Sequence, residues 1–370
     1  MDERIRRTMK SYNNLYEKLL SEENIRLAIS NAAKGKNKKN KRHLRLKRIA
    51  NNSDEYMRLV PIWIKTYKAH KHRSITINDG VYAKKRQIVV PTAVEEVIHH
   101  AVVNILKEIT LPSMYEHSYA SIPGRGTHKA VKTIRKWLNN DHENTKYCLK
   151  LDIRKYFDSV SQGVLLDKFR KIIRDYKFYL LLEEIVSAVG CGIPLGFVTS
   201  QWFANFLLTD LDHKIKEEWG AKYYIRFMDD MVIFGNDKKH LHELFDKIQD
   251  YLFRNLYLEV KDNWQVFYMN DRFGKGRALD FLGYKFYRFH TGLRKKIAIR
   301  MHRKAKRIYV KEHPNIHDAR QMVTYAGYTK NVNVYCWFHK RIKPYVSIRY
   351  LRKRISAYDR NNAGGLANVV

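Results

Sequence analysis

The segment YYIRFMDDMVIFGN, from Tyr223 to Asn236, constrains this chain more than any other stretch. Aromatic and β-branched residues fill both halves, and such residues fit the pleated, half-buried surface of a sheet. Between the halves stand Met228, Asp229 and Asp230. Two adjacent carboxylates cannot be buried unpaired, because desolvation and mutual repulsion both cost free energy. The segment is therefore read as two strands joined by a tight hairpin turn, with the acids at its tip. Such a pair becomes favourable when a divalent cation lies between it and a third carboxylate. Asp152 is the candidate for that third group, because it closes the apolar run YCLKLD upstream. If the two strands are neighbours, the three acids meet at one end of a sheet.

Charge supplies the second constraint. The 370 residues include 71 Lys or Arg against 37 Asp or Glu, a formal net charge of +34. Self-repulsion of that size destabilises a compact state, so a polyanion is the expected partner. The excess is localised. KGKNKKNKRHLRLKR, from Lys34 to Arg48, holds nine Lys or Arg and no acid, and Lys285 to Arg354 holds 20 against Glu312 and Asp318. Basic arms around an acid-bearing centre point to a nucleic-acid clamp around a metal site. A ribosome-associated protein would be similarly basic, so charge alone does not name the function. No run approaches the roughly 18 apolar residues of a membrane span. The charged start lacks the apolar core of a secretion signal, and Cys148, Cys191 and Cys336 form no metal or disulfide spacing. A reducing cytoplasm is the expected location.

Periodicity orders the rest. Residues 1–33 read as helix, and Lys34–Arg48 as an exposed basic loop or helix end. SITINDGVYAKKRQIVVPT reads as a hairpin with an Asn-Asp-Gly turn, and AVEEVIHHAVVNILKEI as a helix with a strong apolar face. A helix follows from about Thr127, then the strand ending near Asp152, long helices over 162–189, a loop and helix over 193–212, the aspartate hairpin, and a helix around 238–254. From about residue 291 the pattern is helical and basic. This order indicates an α+β protein with an antiparallel sheet. The expected division is an N-terminal basic helical extension over 1–65, a catalytic body over 66–290, and a basic helical appendage over 291–370.

Hard carboxylate oxygens suit Mg²⁺, which keeps waters and takes phosphate oxygens as its remaining ligands. Two such ions about 4 Å apart can activate an attacking 3′-hydroxyl and stabilise departing pyrophosphate.

At these residues a family resemblance emerges. FMDD inside a hydrophobic hairpin resembles the Tyr-x-Asp-Asp box of reverse transcriptases, with Phe227 in place of tyrosine, and LKLDIRKYFDSV resembles their first catalytic motif. The resemblance implies a right-hand polymerase of fingers, palm with antiparallel sheet, and helical thumb. It implies that Asp152, Asp229 and Asp230, with the backbone of Ile153, hold two Mg²⁺ ions, Mn²⁺ being a substitute. It places Phe157 where an aromatic ring crowds a ribonucleotide 2′-hydroxyl. It gives KKRQIVVP the role of gripping triphosphate through Lys84, Lys85 and above all Arg86, and Lys261 lies near the position of a proton donor to pyrophosphate.

Further motifs narrow the resemblance. YASIPGRGTHKAV is similar to a segment of bacterial retroelement enzymes, with Ile122 where arginine is common. In IPLGFVTSQW, Leu195-Gly196 and Ser200-Gln201 resemble the reverse transcriptases of diversity-generating retroelements. There Leu195, Gly196 and Gln201 would line the nascent-pair pocket, with an aliphatic side chain where related enzymes carry a hydrogen-bonding glutamine. ALDFLGYKFYRFHTGLRKK looks like a primer grip leading into the thumb, and YAGYTKNVNVYCWF like the family's tail. The implied function is RNA-directed DNA synthesis giving error-prone, adenine-mutagenic cDNA from a template RNA. The implied partners are template RNA, the cDNA–RNA duplex, dNTPs and a small basic helical accessory protein, in a bacterial or phage-infected cell. No endonuclease or maturase module is expected after the thumb. Two alternatives stay open: another bacterial reverse transcriptase, retron-like or defence-associated, and a non-catalytic RNA-binding protein on a polymerase scaffold. His99-His100 reads as helix packing, and Trp264 and Trp337 as candidates to stack on nucleotides.

Overall fold

Strand pairing in the computed structural model is antiparallel throughout its sheets. The structure describes residues 11–36, 40–79, 84–271, 273–311 and 314–363. A two-stranded ribbon joins β1 (Arg73–Asp79) to β2 (Lys84–Val90). The central sheet has the order β4-β5-β3-β6 and is built from β3 (Tyr147–Asp152), β4 (Tyr223–Phe227), β5 (Asp230–Gly235) and β6 (Gln265–Tyr268). A small meander of β7 (Leu279–Phe281), β8 (Tyr284–Phe286) and β9 (Thr291–Leu293) follows, then a run of basic helices. The α+β class read from the sequence is therefore found. The tip of the β1–β2 ribbon, residues 80–83, lies outside the described residues, as do residues 1–10.

Alternation along the strands builds two cores from one sheet, because successive side chains face opposite ways. Leu149, Leu151, Tyr224, Met231 and Ile233 enter the larger core, which runs from Leu15 to Val260. Cys148, Ile225, Val232 and Phe234 face the other way and are covered by Ala130, Val131, Ile134 and Leu138 of helix Thr127–Asn140. The spine of the larger core is helix Ala93–Thr110. Thr92 and Glu95 close its first turn as a reciprocal capping box, with Thr92 N–H donating to Glu95 Oε2 at 2.7 Å. A third core gathers Ile297, Met301, Ala319, Met322 and Leu351 from the basic C-terminal helices.

The N-terminal region departs from the sequence reading. Ser21 interrupts the expected single helix: it leaves the helical backbone and caps a new helix, Glu22–Ala33, by accepting from Asn24 N–H at 3.3 Å. The basic stretch is also more ordered than a loop. Lys41–Asn51 is helical, capped by Asn40 and anchored by buried Leu46 and Ile49 and by the Arg42–Glu96 ion pair, while Lys41, Arg45 and Arg48 are exposed. Two apolar anchors among so many charges gave little periodic signal. Among the described residues no helix is long and apolar enough to cross a membrane. All three cysteines are free.

Candidate active site

Pairing of β3 with β5 sets Asp152 directly opposite Asp230. Phe227 pairs with Asp230 across the hairpin, so Met228 and Asp229 form a two-residue turn. Met228 takes φ 60° there, the left-handed geometry that hairpin turns require and that a side chain makes costly. Ile153 continues β3 in an isolated antiparallel bridge to Val260, with Lys261 N–H donating to Asp152 O at 2.9 Å and Arg154 N–H to Glu259 O at 2.7 Å. Since neighbouring residues in a strand present their backbone groups to opposite edges, the carbonyl of Ile153 points toward the hairpin side. The four expected groups are thus brought together.

Their electrostatics are unfavourable as they stand. Burial first, then the charge of Asp152 and a hydrogen bond shared with its carboxyl, then Asp230, push Asp229 up to about 7. Burial raises Asp230 to about 6, with Asp152 adding to it and Lys150, Lys261 and Arg294 opposing it. Asp152 gives its Oδ2 to the Lys261 ammonium, while its Oδ1 is buried and accepts from no donor. Only a protonated Asp229 could supply one. Three crowded carboxylates, one with an orphaned buried oxygen, are a donor set that fits hard divalent cations.

Beneath the turn lies a residue that the sequence reading passed over. Arg226 is 0% exposed. Its Nε and Nη2 donate to Asp212 Oδ1 and Oδ2 at 2.7 and 2.6 Å, and its Nη1 donates to Met228 O at 3.0 Å. Tyr224 adds its hydroxyl to Asp212 at 2.6 Å. An arginine inside an apolar strand was the available signal, since a buried guanidinium needs a carboxylate partner.

The 190–197 loop is hydrogen-bonded both to Phe157, five residues after Asp152, and to the fingers ribbon. Phe157 is half-buried, its ring edge-on to Tyr156, and its carbonyl accepts from Ile193 N–H at 2.8 Å. Leu195 O accepts from Val89 N–H at 2.8 Å, which ties the loop to β2, the strand that carries Arg86. Gly196 has φ 126°, and a Cβ there would collide with the carbonyl of Val89. Buried Ser200 donates to Pro194 O at 2.8 Å. Gln201 is exposed on helix Val198–Leu207, and Arg86 is exposed on β2. The backbone of Lys84 belongs to β2, but its side chain lies outside the described residues.

On the other side of Asp152 a cleft of about 540 Å³ is lined by Lys150, Asp230, Gln265, Arg277 and Arg294 among others. Lys150 donates to Asp280 O at 2.8 Å and Arg294 to Asp280 Oδ1 at 2.6 Å. These cations, far apart along the chain and only Lys150 of them in a strand, gave no local motif. The two tryptophans are partly buried. Trp264 stacks on Phe245 at 3.6 Å, and Trp337 packs against the C-terminal helical core. His99 is buried as helix packing, against Phe197 at 4.5 Å.

Comparison with known proteins places the sequence in a family. The sequence pattern described as "Reverse transcriptase (RNA-dependent DNA polymerase)" matches residues 70–286. Protein YkfC of Escherichia coli (strain K12) is 26% identical over 147 residues, 37% of this chain and 39% of that protein. The group II intron-encoded protein LtrA of Lactococcus lactis subsp. cremoris is 27% identical over 157 residues, 40% and 26% of the two chains. The retron Ec73 reverse transcriptase of Escherichia coli is 25% identical over 138 residues, 34% and 42% of the two chains. The matched segment therefore spans less than half the length of each relative. Among solved structures, apo telomerase from Candida tropicalis aligns with TM-score 0.48 and 14% identity, over 74% of this chain and 57% of that one. The matched pattern runs from the fingers ribbon through the aspartate hairpin to β8 and covers more than half of the sequence, so this chain belongs to the reverse transcriptase family.

Proposed function

We propose that the chain is an RNA-directed DNA polymerase of the diversity-generating type, which copies a template RNA into cDNA with frequent errors at adenines. The pairing of Asp152 with Asp230, with Asp229 in the turn beside them, is the observation that supports polymerase chemistry. In the reaction a bond forms between the primer 3′-oxygen and the α-phosphorus of a dNTP, and the bond to the departing pyrophosphate breaks. Asp152, Asp229, Asp230 and the Ile153 carbonyl would hold two Mg²⁺ ions, with Mn²⁺ as a substitute. When bound, such ions supply Lewis-acid activation and charge neutralisation. Lys261 holds the Asp152 carboxylate in place through the ion pair described above. Arg86 would grip the triphosphate, and Phe157 would exclude a 2′-hydroxyl.

The subtype rests on the Leu195–Gly196 wall. An aliphatic residue there offers the template base contact area but no hydrogen bond, so a mispair is rejected less strongly. The basic helix Lys41–Asn51 and the basic C-terminal helices would hold template RNA and the cDNA–RNA duplex through phosphates, with binding that weakens steeply as salt rises. A small basic helical protein is the proposed accessory partner.

Primer extension on an RNA template tests both levels. The wild type should extend in Mg²⁺ and Asp229→Asn should not. The sequenced cDNA should carry its errors at template adenines. An even error spectrum would move the assignment to a retron-like or defence-associated enzyme. RNA binding without extension in the wild type would leave only a binding module.

A further inference from the structure

We infer that His70, His72 and Glu95 form a second metal site, separate from the aspartate cluster, that takes a borderline transition cation of the zinc class. His70 and His72 precede β1, and Glu95 lies in the first turn of helix Ala93–Thr110. One nitrogen of each imidazole and a carboxylate oxygen of Glu95 all lie within 4.8 Å of one another. His70 Nδ1 is 3.7 Å and His72 Nε2 2.6 Å from Glu95 Oε1. Ligands of a tetrahedral zinc with bonds of about 2.0 Å stand roughly 3.3 Å apart, so both separations need only small adjustments.

Burial and pairing single this cluster out. The side chains of Glu95 and His72 are 4% and 2% exposed. Among the described residues the ion pairs of Glu95 are to imidazoles, whereas its neighbour Glu96 is paired with Lys36 and Arg42. A chain with 71 Lys or Arg has ammonium partners in excess, yet this buried carboxylate faces ring nitrogens that can ligate. Its orientation is fixed from behind, because Oε2 accepts from Thr92 N–H and leaves Oε1 toward the imidazoles and the Tyr67 hydroxyl, which donates to it at 3.5 Å. Such outer hydrogen bonds position first ligands in metal sites. The other ring nitrogen of His72, Nδ1, is buried with no partner. Two imidazoles and one carboxylate are a zinc donor set, whereas Mg²⁺ prefers all-oxygen surroundings.

The consequence is structural. The His72 ring meets Phe197 edge-on at 5.1 Å, and Phe197 follows Leu195 and Gly196. An ion here would pin the start of the fingers ribbon, the helix start and the pocket loop to one another. The competing occupant is an anion, since Lys41, Arg45, Lys71 and Arg73 also line the 410 Å³ pocket into which His70 and His72 open.

The full-length chain, stripped with chelator, should retain one tight equivalent of Zn²⁺ in equilibrium dialysis, and Co²⁺ should give the visible bands of a tetrahedral site. The Asp152→Asn/Asp229→Asn double variant should retain both signals. His70→Ala, at a half-exposed position, should weaken Zn²⁺ binding by roughly 10-fold or more. His70→Cys should restore it, with a thiolate-to-cobalt charge-transfer band. The inference is overturned if His70→Ala and His72→Gln bind Zn²⁺ like the wild type. Loss of the equivalent in the aspartate double variant would also overturn it, as would a pocket that takes inorganic phosphate but no Zn²⁺.

Discussion

Asp152, the last residue of β3, stands across the sheet from Asp230, the first residue of β5. Asp229 beside them is driven up to about 7 by burial and by the charge of Asp152. Because this folded value lies above the ordinary carboxylate value, the contribution of Asp229 to stability is full below about pH 4 and is lost as pH rises through 7. Asp229→Asn removes the repulsion together with the proposed cation ligand. It should abolish primer extension, yet raise the melting temperature by roughly 2–4 °C in chelator at pH 8. Mg²⁺ should stabilise the wild type and leave the variant unmoved. A variant that melts lower in chelator would refute the repulsion.

Arg226 and Asp212 form the buried ion pair that supports the aspartate turn from below. Removing one partner leaves an uncompensated buried charge, at a cost of about 3–5 kcal/mol. Arg226→Met should therefore lower the urea midpoint sharply. Arg226→Lys keeps the charge but cannot donate to both carboxylate oxygens and to Met228 O. It should fold and should slow nucleotidyl transfer with little change in KM, as measured by steady-state primer extension.

The aspartate hairpin and its partner strand were legible because their signals are local: strand composition with unpartnered acids at a turn and at a strand end. Helix Ala93–Thr110 was legible from its period. What sequence concealed depends on distant partners. Arg226 becomes intelligible only with Asp212 beside it, and Lys150, Arg277 and Arg294 line one cleft from distant points of the chain. His70, His72 and Glu95 likewise meet through tertiary packing, with no ligand spacing along the chain. Helix Lys41–Asn51 was hidden by its own charge, since its two buried anchors were too few to set a period.

Gly196 at φ 126° sits against the Val89 carbonyl of the fingers strand. Alanine there meets both a disfavoured backbone geometry and a fixed backbone atom. Gly196→Ala should separate the pocket loop from β2 and cost about 1–3 kcal/mol. KM for dNTP should rise, while RNA affinity in filter binding stays unchanged. Wild-type kinetics would show that the close approach is dispensable.

Asp318 tests the C-terminal helices by pH. Burial opposes its charge, but Lys304 and Lys311, at 2.5 and 2.7 Å, hold it down at about 2. A depressed carboxylate contributes stability above its unfolded value near 4 and loses it as pH falls toward 2. Asp318→Asn should cost about 1–3 kcal/mol at pH 7 and should unfold with a flatter acid limb between pH 4 and 2. An unaltered acid limb would show that the lysines contribute nothing there.

Phe157 presents a half-buried ring on the short helix Tyr156–Ser159, and its carbonyl is held by the Ile193 N–H. The backbone at this position is thus fixed by the pocket loop, and the ring can exclude by contact alone. In the proposed role, such a ring would act against the 2′-hydroxyl and leave deoxynucleotides untouched. Phe157→Val should therefore raise kcat/KM for a ribonucleotide relative to its deoxynucleotide by on the order of 10- to 100-fold, the range that loss of a steric contact commands. The deoxynucleotide rate should change little, because the Ile193 hydrogen bond uses the backbone and survives the substitution. If both rates fell together, the ring would be packing the turn and sugar selection would lie elsewhere.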